Sequence, residues 1–365
     1  MKIGIVLGTR PEIIKLAPII FELDRLKISY FVIHTGQHYS ENMDRIFWES
    51  LQIPTPQYLL SIREPNHARQ TAEMLKQVDD ILEKEKPDWV LVQGDTNSTM
   101  AGALAASKRM GIKLAHLEAG LRSFDRDMPE EINRIIVDHI SDLLLAPTPE
   151  TMETLASEGI PSERCFYVGN TIEDMVLLNL DLAQSKSTIL QQLELKPKEY
   201  LLLTVHRQEN AENQVRLNNI LQTIFSNSNK YNLDVVFPIH PRTRNIITQM
   251  NISIPEHVHL IEPVGYFDFI ILQKDAKLVA TDSGGVQEET CILGVPCVTL
   301  RENTERPETI RLGSNILAGV SPDKITEAIE IQMKHKSEKL WQSPYGNGMA
   351  AQKTVQLLVQ TYKKV

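Results

Sequence analysis

Four acidic residues stand where acids are costly unless they work. Asp95 follows the apolar run WVLVQG, Glu118 closes KLAHL, and Glu130 and Glu131 open the stretch PEEINRIIVDH. A carboxylate at the end of a buried run must be paired or used. Clustered carboxylates push one another's proton affinities apart, so one residue type supplies both a base and an acid. Asp95, Glu118 and either Glu130 or Glu131 therefore read as one cluster for proton transfer. Arg122 is a candidate partner for Glu118, and Arg134 lies one helical turn beyond the Glu pair, able to meet either member. Asn97 and Ser98 read as caps of the helix that follows Asp95. His206 and Arg207 follow the run YLLLTV, where a histidine suits proton transfer or phosphate contact. The segment FPIHPR repeats that pattern with His240 and Arg242 in a supporting role.

A second set of residues suits a phosphate. In GTRPEIIKLAP a strand gives way to a helix opened by Pro11, which sets Arg10 at the helix start and Lys15 about one turn further on. In TDSGGVQEE, Ser283, Gly284 and Gly285 let backbone amides approach an anion, and Glu289 lies one turn into the helix, where it suits a ribose diol. Arg306, in RENTERPE, precedes a proline turn that aims a guanidinium at a diphosphate. The spacing is not that of a dinucleotide-binding Gly-rich turn, so no nicotinamide cofactor is expected, and no cofactor or metal of any kind.

The elements that must hold these residues alternate. Short apolar runs (IGIVLG, FVIHTG, WVLVQGD, KLAHLEAG, DLLLAPT) are separated by amphipathic stretches, one near SENMDRIFWESL and one over about 67–84. This is the signature of a parallel, doubly wound sheet. The alternation restarts near residue 200 with YLLLTVHRQEN and a helix over about 215–227, so the fold class is α/β with two Rossmann-like domains. The expected division is 1–172 and 173–345, with a last helix over 346–365 returning to the first domain. Two such sheets would turn the carboxyl ends of their strands toward a central cleft, where ligands bind.

Bulk properties narrow the partners. The 365 residues carry a net charge of −9, which speaks against nucleic acid and against an anionic membrane surface. No run approaches the length of a membrane span. The three cysteines, Cys165, Cys291 and Cys297, are odd in number and lack metal-site spacing; they read as core residues of a protein kept in a reducing cytoplasm.

Taken together, GTRPEIIKLAP, QGDTNST, HLEAGLRSFDRDMPEEINR, HRQEN, DSGGVQEE and NTERPE resemble, in order and spacing, the non-hydrolysing UDP-N-acetylglucosamine 2-epimerase family. The resemblance runs from Lys2 to past Gly348. It implies a GT-B-like fold, a UDP-sugar substrate bound mainly by the second domain, and a homodimer. It places catalytic carboxylates at Asp95, Glu118 and Glu130, with Glu131 as the rival, and a catalytic histidine at His206. It matches UDP contacts to Arg10, Ser283, Gly284, Glu289 and Arg306, with Lys15 nearby. It matches an activator site to Gln37, Arg69, Gln70, Arg207 and His240, although many members carry Arg-Arg after the histidine where this chain has Arg207-Gln208. Neighbouring possibilities are the same chemistry on another UDP-2-acetamido sugar, such as a 2,3-diacetamido uronic acid, a hydrolysing epimerase, a GT-B glycosyltransferase and a UDP-sugar sensor without turnover.

Overall fold

The computed structural model describes all residues except 38–47, 49–50, 52, 63, 65, 240, 335–340 and 364–365. The chain divides into two compact units, Met1–Met175 with Tyr345–Val365, and Val176–Pro344.

The first unit runs β1 (Lys2–Leu7), α1 (Arg10–Arg25), β2 (Ser29–His34), β3 (Tyr58–Leu59), α2 (His67–Glu85), β4 (Trp89–Gln93), α3 (Asn97–Ser107), β5 (Lys113–Leu117), α4 (Pro129–Ile140), β6 (Leu143–Ala146), α5 (Pro149–Ser157) and β7 (Cys165–Tyr167). Its seven strands are parallel, in the order β3-β2-β1-β4-β5-β6-β7. The inner strands are apolar on both faces because helices cover both: Ile3, Ile5, Val6, Val90, Val92 and Leu114 are wholly or almost wholly buried. The chain turns back on itself between β1 and β4, and the loops after those two strands carry Arg10 and Asp95. That point of reversal is where open α/β sheets bind ligands.

Helix α6 (Thr171–Lys186) leads into the second unit. There a short helix α7 (Ile189–Gln192) precedes β8 (Tyr200–Thr204), α8 (Gln208–Ala211), α9 (Gln214–Lys230), β9 (Asp234–Pro238), α10 (Pro241–Gln249), β10 (Val258–Ile261), α11 (Tyr266–Lys274), β11 (Leu278–Thr281), α12 (Gly284–Leu293), β12 (Cys297–Thr299), α13 (Pro307–Arg311), β13 (Asn315–Leu317) and α14 (Pro322–Gln332). Six parallel strands take the order β10-β9-β8-β11-β12-β13. Leu201, Leu203, Val235, Phe237 and Leu278 on the sheet pack with Leu217, Ile220 and Ile224 of α9 and Ile325 and Ile329 of α14. The reversal here lies between β8 and β11, which deliver His206 and Ser283. Both units thus belong to the expected α/β class. The three cysteines are buried thiols, and burial pushes that of Cys297 up to about 12. The helix expected near SENMDRIFWESL falls largely outside the described residues.

Helix α15 (Ala350–Lys363) belongs to the first unit and packs on α1. Its start is capped by a side chain distant in sequence. The Ala350 and Ala351 amides donate to the two carboxylate oxygens of buried Asp174 at 3.1 and 2.9 Å, and the Asn170 amide donates to the Tyr345 carbonyl at 2.8 Å. An acid at a helix N-terminus satisfies orphan amides and meets the positive end of the dipole. Asp174→Ala should cost about 1–2 kcal/mol and lower the melting temperature by a few degrees. An unchanged melting temperature would show that the tail helix is held by its apolar face alone.

Candidate active site

The acids of the first unit are met by cations from its helices. Lys15 of α1 forms an ion pair with Glu118 at the end of β5, and both side chains are almost wholly buried. Gln93, the last residue of β4, donates to the other Glu118 oxygen. Glu118 has a φ of 68°, the left-handed region that a bulky side chain occupies only under constraint. Arg134 of α4 bridges Asp95 and Glu131, the second pair at 2.6 Å. Asn133 of the same helix donates to the Asp95 carbonyl at 2.8 Å. Asp95 keeps about a third of its side chain exposed, so one oxygen remains within reach of a ligand.

The Glu pair divides its labour. Glu131 is buried and accepts from the Ser123 and Phe124 amides at 2.9 Å each, as well as from Arg134. Burial pushes its carboxyl up, but those donors outweigh burial and hold it below the ordinary glutamate value. Glu130 is half-buried and makes no hydrogen bond or ion pair that ties it to another described residue. A group that is to exchange protons needs an uncommitted oxygen, and Glu130 has one.

Two expectations from the sequence are corrected. Arg122 does not meet Glu118: it pairs with Asp138 at 2.7 Å and with Glu158 at 2.7 Å. Lys15, one α-helix away in space but 103 residues distant in sequence, takes its place. Nor do Asn97 and Ser98 cap α3. Thr96 does, its hydroxyl accepting from the Thr99 amide at 3.1 Å. Asn97 and Ser98 lie in the buried first turn and bind across loops instead. The Asn97 amide donates to Gln70 at 3.0 Å, and the Ser98 amide and hydroxyl donate to Gln37 at 3.0 and 2.8 Å. Gln37 and Gln70 are therefore both held to the first turn of α3. Arg69 is exposed in the first turn of α2. Arg207 belongs to the second unit, and His240 lies outside the described residues.

Reading by type and spacing passed over Glu12. It is a first-turn acid of α1, a position where acids are ordinarily solvated. Here it is buried and accepts from the Gly8 amide at 2.9 Å and the Thr9 and Thr96 hydroxyls at 2.8 Å each. It ties the β1 loop bearing Arg10, an exposed residue at the start of α1, to the β4 loop bearing Asp95. Burial is the largest influence on its carboxyl and pushes it up, partly offset by these donors. The only hint in sequence was its place in the GTRPE segment.

In the second unit, His206 follows β8 with 60% of its side chain exposed, and its Nδ1 lies 2.9 Å from Oδ1 of Asp282, which is fully buried. The Asp–His pair fixes the ring and leaves Nε2 turned outward. Asp282 also accepts from the His206 and Arg207 amides and from Asn210 at about 3.1 Å. Ser283 is the N-cap residue of α12, with no side-chain cap bond, so the first amides at Gly284 and Gly285 are left for a ligand. Arg306 is buried against Glu288 through an ion pair and donates to the Glu305 carbonyl at 3.2 Å. Arg301 clamps Glu305 with two bonds of 3.0 and 2.8 Å, and Thr304 donates to Gln287 of α12 at 2.6 Å. The 301–306 loop is thereby locked to α12. Glu289 accepts from Gln273 at 2.7 Å. Among the described residues no three His, Cys, Asp or Glu side chains are grouped to hold a metal ion, and no helix is long and apolar enough to cross a membrane.

Known proteins match this frame over its length. A family profile described as UDP-N-acetylglucosamine 2-epimerase matches residues 22–359. The UDP-N-acetylglucosamine 2-epimerase of Methanocaldococcus jannaschii is 50% identical over 370 residues, covering 100% of both chains. The UDP-2,3-diacetamido-2,3-dideoxy-D-glucuronate 2-epimerase of Pseudomonas aeruginosa is 40% identical, over 99% of this chain and 100% of that one. The crystal structure of the M. jannaschii enzyme in complex with UDP-GlcNAc and UDP is similar at a TM-score of 0.91, covering 99% of this chain and 100% of that chain. The two parallel-sheet units are accordingly GT-B-like in fold.

The Asp282 bonds have a consequence in acid. Burial pushes this carboxyl up, but His206, Asn210 and backbone amides outweigh burial and hold it below the ordinary 3.8. As pH falls, the unfolded chain takes up its proton first. Asp282 thus contributes its stability in full above about pH 4 and loses it as pH drops through the lower native value. Asp282→Asn should flatten the fall of melting temperature between roughly pH 5 and 3. Equal slopes in variant and wild type would remove Asp282 from the acid-sensitive groups.

Proposed function

We infer that this chain, which belongs to the UDP-N-acetylglucosamine 2-epimerase family, is an isomerase that interconverts UDP-N-acetylglucosamine and UDP-N-acetylmannosamine. The observation that carries the reading is the pairing of Glu118 with Lys15 and of Asp95 and Glu131 with Arg134, while Asp95 and Glu130 retain oxygens for a substrate. Inverting carbon 2 requires a proton to leave one face and return to the other, and that hydrogen is not acidic. Elimination solves the problem. A carboxylate takes the carbon 2 proton as the bond from carbon 1 to UDP breaks, giving a 2-acetamidoglucal and UDP. Protonation on the opposite face and return of UDP complete the inversion.

The roles follow from these needs. Asp95, Glu118 and Glu130 carry the proton chemistry, and Glu131 holds Arg134 and the 123–124 loop in place. Arg134 and Lys15 hold Asp95 and Glu118 in place beside the sugar. Ser283, Gly284, Gly285 and Arg306 take the departing diphosphate, Arg10 adds charge to it, and Glu289 takes the ribose. His206, aimed by Asp282, assists the departure of UDP. No cofactor is required by this chemistry, since electrons return to the bond they left. Gln37, Arg69, Gln70, Arg207 and His240 are assigned to a second, activating UDP-sugar. Units of 1–172 with the 346–365 helix and of 173–345 are taken as the working domains. A cytoplasmic homodimer is the proposed form; light scattering at working concentration tests the dimer. A second reading keeps the mechanism and changes the sugar to a 2,3-diacetamido uronic acid, because the relative that acts on it is 40% identical over its full length.

Proton NMR in deuterated water decides the reaction. With UDP-N-acetylglucosamine, signals of UDP-N-acetylmannosamine should appear and carbon 2 should acquire deuterium. Conversion without deuterium uptake, or turnover of the diacetamido uronate alone, overturns the first reading. Asp95→Asn and Glu118→Gln should each lower turnover by about 10²–10⁴-fold and still bind UDP. Wild-type turnover in both would sink the site assignment. Arg306→Ala should weaken UDP binding by about 10–100-fold by calorimetry, the worth of a charge-assisted bond; unchanged affinity would take Arg306 out of the nucleotide site.

A further inference from the structure

We infer that His116, Asp138 and Arg122 are positioning residues for the acids at the ends of β4 and β5, and that His116 acts as an imidazolium donating from both ring nitrogens. The inference rests on the reading of Asp95 and Glu118 as reacting carboxylates.

The protonation state follows from the partners. His116 sits on β5 and is fully buried. Its Nδ1 lies 2.7 Å from Oδ1 of Asp138 on α4, and its Nε2 lies 2.8 Å from the Gly94 carbonyl oxygen. A carbonyl oxygen can only accept, and an ionised carboxylate can only accept. A neutral imidazole has one N–H, so one of its nitrogens would press a lone pair against an oxygen at hydrogen-bond distance. A proton on Oδ1 of Asp138 would relieve that clash, but Oδ2 lies 2.7 Å from the Arg122 guanidinium, a cation that favours the ionised carboxylate, and also accepts from the Gly120 amide at 3.0 Å. Burial pushes the Asp138 carboxyl up, yet His116 and Arg122 outweigh it and hold it below the ordinary aspartate value. The second proton therefore belongs to the ring. Charges then alternate through His116, Asp138, Arg122 and Glu158, with His139 at 4.0 Å from Glu158 at the outer end. A buried cation is tolerable in such a chain because each charge has opposite neighbours.

What the network grips gives it a role. The Gly94 carbonyl it holds belongs to a residue with φ of 73°, immediately before Asp95. The Gly120 amide it holds belongs to a residue with φ of 85°, two positions after Glu118, itself at 68°. At Gly120 a Cβ would meet the Thr151 carbonyl at 2.4 Å, so the position admits only glycine. A left-handed glutamate persists only where the surroundings hold it. One buried network thus grips the backbone beside both acids, on two neighbouring strands.

Two measurements on the full chain test this. In ¹⁵N-histidine-labelled wild-type protein at neutral pH, long-range proton–nitrogen correlation should show both His116 ring nitrogens protonated, the signals being identified by their loss in His116→Gln. A single bare nitrogen overturns the imidazolium whatever the activity. In kinetics, His116→Gln and Asp138→Asn should lower kcat by about 10–100-fold, the effect of a reacting group misplaced by about an ångström. KM and the calorimetric affinity for UDP should stay within about threefold. The deuterium isotope effect on kcat with carbon 2-deuterated substrate should grow, because proton removal becomes slower. These are measured with whichever UDP-sugar the wild type turns over. Unchanged kcat, or UDP affinity lost in step with kcat, overturns positioning. A wild type inactive on every UDP-sugar would instead sink the functional reading, while the nitrogen signals still decide the state of His116.

Discussion

A carboxylate buried at the end of a strand stays ionised only if a cation or a set of donors replaces the water it has lost. Much of the first unit is arranged around that demand. Lys15 answers Glu118, Arg134 answers Asp95 and Glu131, and Arg122 with His116 answers Asp138. Lys15, Arg134 and His116 come from helices and a strand whose seats are fixed by apolar packing, so these charges are oriented before any ligand arrives. Removing one partner of such a pair leaves the other charge stranded, typically at about 3–5 kcal/mol. Preorganised charge is also what electrostatic catalysis needs.

The doubly wound topology puts these groups at the same place in each unit. Parallel strands end together at one edge of a sheet, and the reversal of strand order opens the loops there. In the first unit β1 and β4 flank the reversal and carry Arg10 and Asp95. In the second, β8 and β11 flank it and carry His206 and Asp282, which bond to one another across it. The two units repeat one solution with different groups: acids paired with cations in the first, and in the second a Gly-rich helix start beside an oriented imidazole.

Backbone conformation adds a constraint that side-chain chemistry alone would not supply. Glu118 occupies a left-handed conformation between two glycine turns that also lie at positive φ. Such a conformation costs about 1–3 kcal/mol, and the hydrogen bonds that the Gly120 amide donates to Asp138 and the Ala119 amide to the Leu145 carbonyl hold the turn. The 301–306 loop shows the same principle with buried salt bridges in place of strain: Arg301 and Glu305 are fixed to one another, and Thr304 to Gln287, so that Arg306 has a defined seat.

Sequence by itself determined the α/β class, the restart of the pattern near residue 200, and the strand-end positions of Asp95, Glu118, His206 and Ser283. The reason is physical: a buried parallel strand must be a continuous apolar run, so the first polar residue after it marks the sheet's edge. It also flagged Arg134 correctly, because residues three or four apart on a helix are neighbours. It did not assign Lys15 to Glu118, separate Glu131 from Glu130, or find Glu12, Asp138 and Asp282. Those depend on contacts between residues up to 103 apart in sequence, or on which of two adjacent acids faces inward. Spacing along one helix or strand reports only local neighbours. Which cation answers which acid was decided by the packing of α1 and α4 against the sheet, because a buried charge takes the partner that tertiary structure brings within reach.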